Sequence, residues 1–334
     1  MRQPYNIDGS LMKKAVVLKC VISLILFFYL FWTISFGELL DLISNADHCM
    51  LFFTILISVP VGYLISTIKW QVLLRAHGIN NISLQKLWAF YFMGSFFSNF
   101  LPTEIGGDVM RGYEVGKISE NKIESYASIF MERFTGFASM ILLAFLGLFF
   151  NRDIVAKTNL TFIIMSSFLC FSIITFLITQ KGTARIIKKN INFKSTERIV
   201  NKIQSFYLSL LYYKNKPLII LKTMIISFVF QMVPIFYVYF IYLSLGIEVP
   251  IMRLILFVPT ISLLAIIPIT INSLGLREGA FVFMFSYLNI APPDSLAASL
   301  IFRLGILFMS SIGGILYIYM HVTKLKDIKA DQNS

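Results

Sequence analysis

Histidine and cysteine each occur only three times in the 334 residues. Cys20, Cys49 and Cys170 fall in or beside separate apolar runs without paired spacing, which argues against a disulfide framework. His48, His77 and His321 are equally scattered, so the sequence offers no ligand spacing, and neither a metal nor a cofactor is expected. Charge is scarce as well, at 14% of residues. The glycine-rich loop that cradles nucleotide phosphates is missing, which argues against ATP as a direct energy source. No polar segment is longer than residues 181–216, which leaves little room for a domain binding a sugar nucleotide.

What is present is apolar. Hydrophobic residues make up 57% of the chain, with 33 Phe and 15 Tyr. The mean hydropathy is +0.78. Such a composition fits lipid-facing surfaces and interfacial belts rather than one soluble core. The formal charge of +12 invites a nucleic-acid reading. The basic residues lie mainly between the apolar runs, however, where membrane orientation already explains them, and no nucleic-acid partner is expected.

Six runs approach the ~20 residues that a bilayer core requires: residues 15–36, 50–68, 134–150, 160–179, 218–245 and 296–320. The first is too long for a signal-peptide core and lacks a small-residue cleavage site, so it reads as a transmembrane helix. Two further apolar regions are irregular. Residues 87–101 are short, and residues 254–290 are interrupted by Pro259, Pro268, Gly275 and Arg277-Glu278.

Charge between the runs gives an orientation. Arg2, Lys13, Lys14 and Lys19 flank the first run on one side, whereas Glu38, Asp41 and Asp47 follow it, which places the N-terminus in the cytoplasm. Residues 181–216 carry nine basic side chains against the lone Glu197, so this linker is also expected inside, in part as an amphipathic helix on anionic headgroups. Lys324, Lys326 and Lys329 place the C-terminus there too. Parity then requires residues 87–101 to enter and leave on the cytoplasmic side and residues 254–290 to return to the outer side. Arg152 and Lys157, in a loop assigned outside, run against this scheme. The expected fold is all-α: a polytopic bundle in the cytoplasmic membrane, with six full transmembrane helices and two re-entrant hairpins broken by Pro and Gly. It forms one membrane domain, residues 1–334, with a first half of about 1–180, the basic linker 181–216 and a second half, 217–323.

The two irregular regions carry the polar motifs. The first reads Asn99-Phe100-Leu101-Pro102-Thr103-Glu104-Ile105-Gly106-Gly107-Asp108-Val109-Met110-Arg111, and the second Ile267-Pro268-Ile269-Thr270-Ile271-Asn272-Ser273-Leu274-Gly275-Leu276-Arg277-Glu278. In each, an arginine follows a proline by nine positions, and a later helix carries another arginine, Arg133 after Glu132 or Arg303. This resembles an internal repeat, inverted because the hairpins are expected to enter from opposite sides. Proline ends a half-helix, and glycine lets backbones approach closely. Broken backbone at membrane depth survives only when it is buried in protein or lines a wet cavity. Arginine in such a cavity suits a phosphate, and Glu104, Asp108 and Glu278 suit pairing with it when the site is empty. The plainer alternative is a cytoplasmic loop around a Gly-Gly turn.

At these residues the chain resembles the flippase-like transmembrane region of lysylphosphatidylglycerol synthases, which also occurs in freestanding form. The resemblance rests on Lys69-Trp70 with Leu73-Leu74 and Gly78, on Asn99 to Arg111, on Glu132-Arg133, and on Ile267 to Glu278 with Arg303. Two positions depart from the family pattern: Lys69 stands where arginine is usual, and Ser273 where glycine is usual. The family implies movement of a lipid, with a charged or sugar headgroup, between leaflets. The aminoacyl-transferase domain of the synthases does not follow, so lipid aminoacylation is not expected.

The leading expectation is therefore a flippase or transporter for a phosphate-containing lipid, phospholipid or polyprenyl-phosphate-linked. Its candidate site comprises Arg111, Arg277, Arg133, Arg303, Glu104, Asp108, Glu132, Glu278 and Asn272, with Pro102, Gly106, Gly107, Pro268 and Gly275 shaping the hairpins. The competing expectation is a membrane glycosyltransferase or other headgroup-modifying transferase using a polyprenyl-phosphate lipid, with Glu104 and Asp108 as its carboxylates. An accessory-subunit reading adds envelope-glycan or lipid-modifying enzymes as partners.

Overall fold

The computed structural model describes residues 9–34, 36–100, 105–156, 158–180 and 197–331. Among these the chain is helical almost throughout. The helices are α1 (Gly9–Thr33), α2 (Phe36–Asn45), α3 (His48–Ala76), α4 (Leu84–Phe100), α5 (Ile105–Ser119), α6 (Lys122–Phe150), the single turn α7 (Arg152–Val155) and α8 (Leu160–Thr179). They continue with α9 (Glu197–Lys214), α10 (Pro217–Ser244), α11 (Ile251–Ala265), a 3-10 turn (Ile271–Ser273), α12 (Leu276–Ser286) and α13 (Pro292–Asp331).

Local chemistry sets several boundaries. The Asp47 carboxylate accepts the Met50 N–H at 2.9 Å and caps α3. Pro217 opens α10, where its missing N–H costs nothing. The apolar pattern of residues 50–68 continues as helix to Ala76 because Lys69 and Trp70, which end the apolar run, are buried with partners of their own. The amphipathic α2 was not anticipated: its Glu38 and Asp41 give it the composition of a loop. Residues 197–214 of the basic linker form α9, as expected in part, whereas residues 181–196 lie outside the described residues.

Among the described residues, five helices are long and apolar enough to cross a membrane: α3, α6, α8, α10 and Pro292–Met320 of α13. In α1 the corresponding apolar stretch is Val17–Leu30. Their outer faces stay bare. Only 6% of the apolar window of α8 is buried, and Trp32 and Leu218 are each 79% exposed. Apolar area left in water costs about 25 cal/mol per Å², whereas in lipid it is the solvated state. The chain is a multi-pass helical membrane protein.

Two quartets of helices position the site. In the first, α3 leads into the hairpin α4/α5 and then α6; in the second, α10 leads into the hairpin α11/α12 and then α13. The quartets interlock: α3 packs along α10, α13 along α4, and α6 along α11. Small residues permit the close crossings. A Cβ on Gly147 of α6 would lie 2.7 Å from Leu256 Cα of α11, and one on Gly313 of α13 would collide with the Phe92 carbonyl of α4.

The direction of each hairpin follows from α6, whose 29 residues extend about 44 Å at 1.5 Å per residue. Its N-terminus follows directly on the end of α5, where a Cβ on Gly116 would meet Lys122 at 3.0 Å, at the open end of the first hairpin. At its C-terminus, Asn151 donates to the Met252 carbonyl at the start of α11, the open end of the second. The hairpins therefore enter from opposite ends of the bundle. Their tips meet, because Asn272 Nδ2 donates to Asn99 Oδ1 at 3.3 Å.

Candidate functional site

Each quartet holds a buried ionic cluster where its hairpin packs on the next helix. In the first, Arg111 of α5 is 2% exposed and sends Nη2 to Asp108 Oδ1 at 2.6 Å and Nη1 to Glu132 Oε2 of α6 at 3.1 Å. Its guanidinium lies 4.2 Å from the Tyr91 ring centroid and 4.9 Å from that of Trp70. Tyr91 donates its hydroxyl to Glu132 Oε1 at 2.9 Å, and Lys69 Nζ donates to the Glu132 carbonyl at 3.0 Å. Trp70 is fixed in turn by Ser128. The Glu132 carboxylate thus has both oxygens engaged, which is the condition under which a buried charge is tolerated.

Asp108 also joins α5 to Arg133 of α6. Arg133 Nε donates to Asp108 Oδ2 at 2.9 Å and Nη2 to Oδ1 at 3.0 Å, a side-on bidentate pair. Unlike the rest of the cluster, the Arg133 side chain is 48% exposed.

The second cluster repeats this link with different local detail. Glu278, at the start of α12, accepts the Gly275 N–H at 2.7 Å and Arg303 Nε of α13 at 2.6 Å. Arg303 Nη1 and Nη2 continue to the Asn272 and Ser273 carbonyls at 3.1 and 3.2 Å. Asn272 and Ser273 have φ of +47° and +53°, left-handed backbone that costs a β-carbon-bearing residue roughly 1–2 kcal/mol. Holding their carbonyls, Arg303 keeps this tip in place. Glycine would relieve the strain at position 273, where the sequence departs from the family pattern. Gly275 at φ +80° is required for a second reason: a Cβ there would come 2.7 Å from Leu26 Cβ of α1.

The sequence equated Arg111 with Arg277 by their distance from a proline. The geometry aligns the quartets differently. Asp108 to Arg133 and Glu278 to Arg303 each span 25 positions and each join the second hairpin helix to the helix that follows. Arg111 follows its pair's carboxylate by three residues, whereas Arg277 precedes its own by one, so the two are not equivalent. Arg277 lies over the Phe302 ring at 5.7 Å and lines a cavity of about 130 Å³ with Val238, Val258, Ile261 and Phe281.

Gly106 and Gly107 belong to the first turn of α5 rather than to a loop, and a Cβ on Gly107 would collide with the Gly94 carbonyl of α4. Gly107 serves the helix crossing inside the hairpin. Pro268 sits in the turn between α11 and the 3-10 segment. Pro102 and Glu104 lie outside the described residues. Sequence reasoning did not select Tyr91 or Trp70 for the site, since one tyrosine among 15 carries no signal before its contact with Glu132 is seen. Asn99 was read only as the start of a motif, although it joins the two hairpins and donates to Ser310 at 2.6 Å. Among the described residues, no three His, Cys, Asp or Glu side chains converge in a way that could hold a metal ion.

Opposed hairpins, arginine–carboxylate links at a common spacing and bare apolar flanks define a polytopic helical membrane protein. The chain belongs to the lysylphosphatidylglycerol synthase TM region family, which it matches over residues 16–314. Among curated relatives, a UPF0104 membrane protein of Methanothermobacter thermautotrophicus is 24% identical over 84% of this chain and 87% of its own length. Two UPF0104 membrane proteins of Methanocaldococcus jannaschii are 27% and 29% identical, over 84% and 67% of this chain and 86% and 94% of their own lengths. No solved structure matches.

Proposed function

We propose that this protein is a lipid transporter that moves a phosphate-containing lipid, phospholipid or polyprenyl-phosphate-linked, between the leaflets of the cytoplasmic membrane. The observation that carries the reading is the arginine–carboxylate link present in each quartet at the same spacing, Asp108 to Arg133 and Glu278 to Arg303. Ionisable residues within membrane-spanning helices are costly, and they mark substrate pathways more often than structure alone requires.

In this reading both hairpins are re-entrant, the first from the cytoplasmic side and the second from outside, and the halves form an inverted repeat. A lipid phosphate takes up the arginine of one half beside its carboxylate, loosens the hairpin that this link holds, and opens the bundle to one leaflet. The tips then part at Asn99 and Asn272, and the opposite half takes over. Arg111, already saturated by two carboxylates, braces the first hairpin, and Arg277 lines a cavity sized for part of a lipid. Engagement of Asp108 by two arginines favours transport over a transferase that would use it as catalytic base, a role that needs an available oxygen.

The test uses proteoliposomes containing the purified chain and a headgroup-labelled phospholipid or polyprenyl-phosphate sugar. Transport is expected to change the fraction of label reached by an impermeant quencher, with the lipid recovered chemically unaltered. Formation of a new glycolipid that depends on an added sugar donor would replace this reading with the transferase.

A further inference from the structure

The two equivalent arginines differ in one respect. A guanidinium presents two hydrogen-bonding edges, the side formed by Nε with one terminal nitrogen and the end formed by both terminal nitrogens. In Arg303 both are in use: Nε meets Glu278, and the end-on edge meets the carbonyls of Asn272 and Ser273, with the side chain 16% exposed. In Arg133 only the side edge is in use, through Nε and Nη2 to Asp108. Its Nη1 has no partner among the described residues, and the side chain is 48% exposed.

The surroundings specify what the open edge lacks. Lys69, Arg111 and Arg133 face Asp108 and Glu132, three cations against two carboxylates, so the described cluster is short of one negative charge. Arg133 also sits eleven residues into α6, about 16 Å along the helix axis at 1.5 Å per residue. A half-exposed guanidinium at that depth needs a counter-ion or a wet cavity.

We infer that the outward, end-on edge of Arg133 binds the phosphate of a lipid phosphodiester, a group carrying one negative charge, as a bidentate pair. This deepens the transport reading and rests on it for the lipid's fate, not for its binding. Arg303 is the same site in its closed form, with two hairpin-tip carbonyls standing where phosphate oxygens sit on Arg133. A phosphodiester and free inorganic phosphate share this chemistry, and competition between them separates the two sources.

The experiment is native mass spectrometry of the full chain in neutral detergent, titrated with dioctanoyl phosphatidylglycerol, with dioctanoylglycerol as the uncharged analogue, and with inorganic phosphate as competitor. The wild type should retain the phospholipid over the diacylglycerol. Arg133→Gln should lower that retention about tenfold, and Arg133→Lys should lower it less, because a lysine keeps the charge but not the fork. Arg253→Gln, in an ion pair elsewhere, should match wild type. Equal retention by Arg133→Gln and wild type overturns the site, as does a loss in Arg253→Gln as large as that in Arg133→Gln. Displacement of the lipid by equimolar inorganic phosphate overturns the lipid assignment. Arginine-dependent retention with no translocation in proteoliposomes would keep the site and remove the transport reading; translocation with arginine-independent retention would do the reverse.

Discussion

Asn99, near the end of α4, accepts a hydrogen bond from Asn272, in the turn that tips the second hairpin, at 3.3 Å across 173 positions of sequence. Asn99 also donates to Ser310 of α13 at 2.6 Å, so one amide ties both hairpin tips to a long helix. Two broken segments that enter from opposite ends of the bundle thus close on each other through a polar contact worth only about 1 kcal/mol net. A contact of that size holds a resting state and still permits separation.

Two members of the first cluster, Glu132 and Arg133, should differ sharply in their effect on stability. Glu132→Ala removes a partner of the buried Arg111 and of Tyr91, and is expected to cost about 3–5 kcal/mol. Arg133→Gln removes a half-exposed member while Asp108 keeps Arg111, and should cost less than about 1 kcal/mol. Thermal unfolding in one detergent checks the order; equal losses would mean that Arg133 is also a structural brace.

Close packing between the quartets makes a paired prediction. Gly147→Ala drives a methyl toward the Leu256 backbone and Gly313→Ala drives one into Phe92. Each is expected to destabilise by about 1–3 kcal/mol through overpacking, although neither touches an ionic cluster. Melting temperatures of the single variants, measured alongside Gly279→Ala, where a Cβ meets nothing within 4 Å, test this.

One ion pair outside the spanning helices supplies a pH dependence. Arg253 donates to both oxygens of Asp153 at 2.7 and 2.8 Å, and this bonding holds the Asp153 carboxyl below its usual range. A depressed carboxyl stabilises the fold above the unfolded value of about 3.9 and loses that contribution as pH falls through the folded value. The difference in melting temperature between wild type and Asp153→Asn should therefore be steady at neutral pH, begin to shrink near the unfolded value of about pH 4 and vanish only below the folded value.

Orientation has its own test. In a background with Cys20, Cys49 and Cys170 replaced by serine, Glu248→Cys, at the open end of the second hairpin, should react with an impermeant thiol reagent from outside intact cells. Asn121→Cys, at the open end of the first, should react only after permeabilisation. Both positions are exposed, so burial does not confuse the result.

Much of the architecture was legible in the sequence. Residues 160–179 were bounded as they stand, because α8 is apolar on every side and ends where the polar residues begin. Both hairpins were visible as apolar segments too short or too interrupted to cross. The pairing within them was not. Arg111 and Arg277 stood out by a shared distance from proline, whereas the equivalent groups are Asp108 with Glu278 and Arg133 with Arg303, and an aspartate matched to a glutamate leaves no repeated letter. The role of Gly107 was hidden for a similar reason: a glycine that permits helix contact reads like one that makes a turn. Lys69 drew notice only as a departure from a family pattern, and its bond to the Glu132 carbonyl depends on a fold that brings positions 63 residues apart together.

The central claim is that the two hairpin tips must separate for lipid to cross. The most direct measurement is translocation of a headgroup-labelled phospholipid in proteoliposomes containing the Asn99→Cys, Asn272→Cys protein without its native cysteines, before and after treatment with a short bis-methanethiosulfonate cross-linker. Cross-linking should stop translocation, and a reductant should restore it. Translocation that continues at the same rate with the tips verifiably cross-linked would contradict the claim.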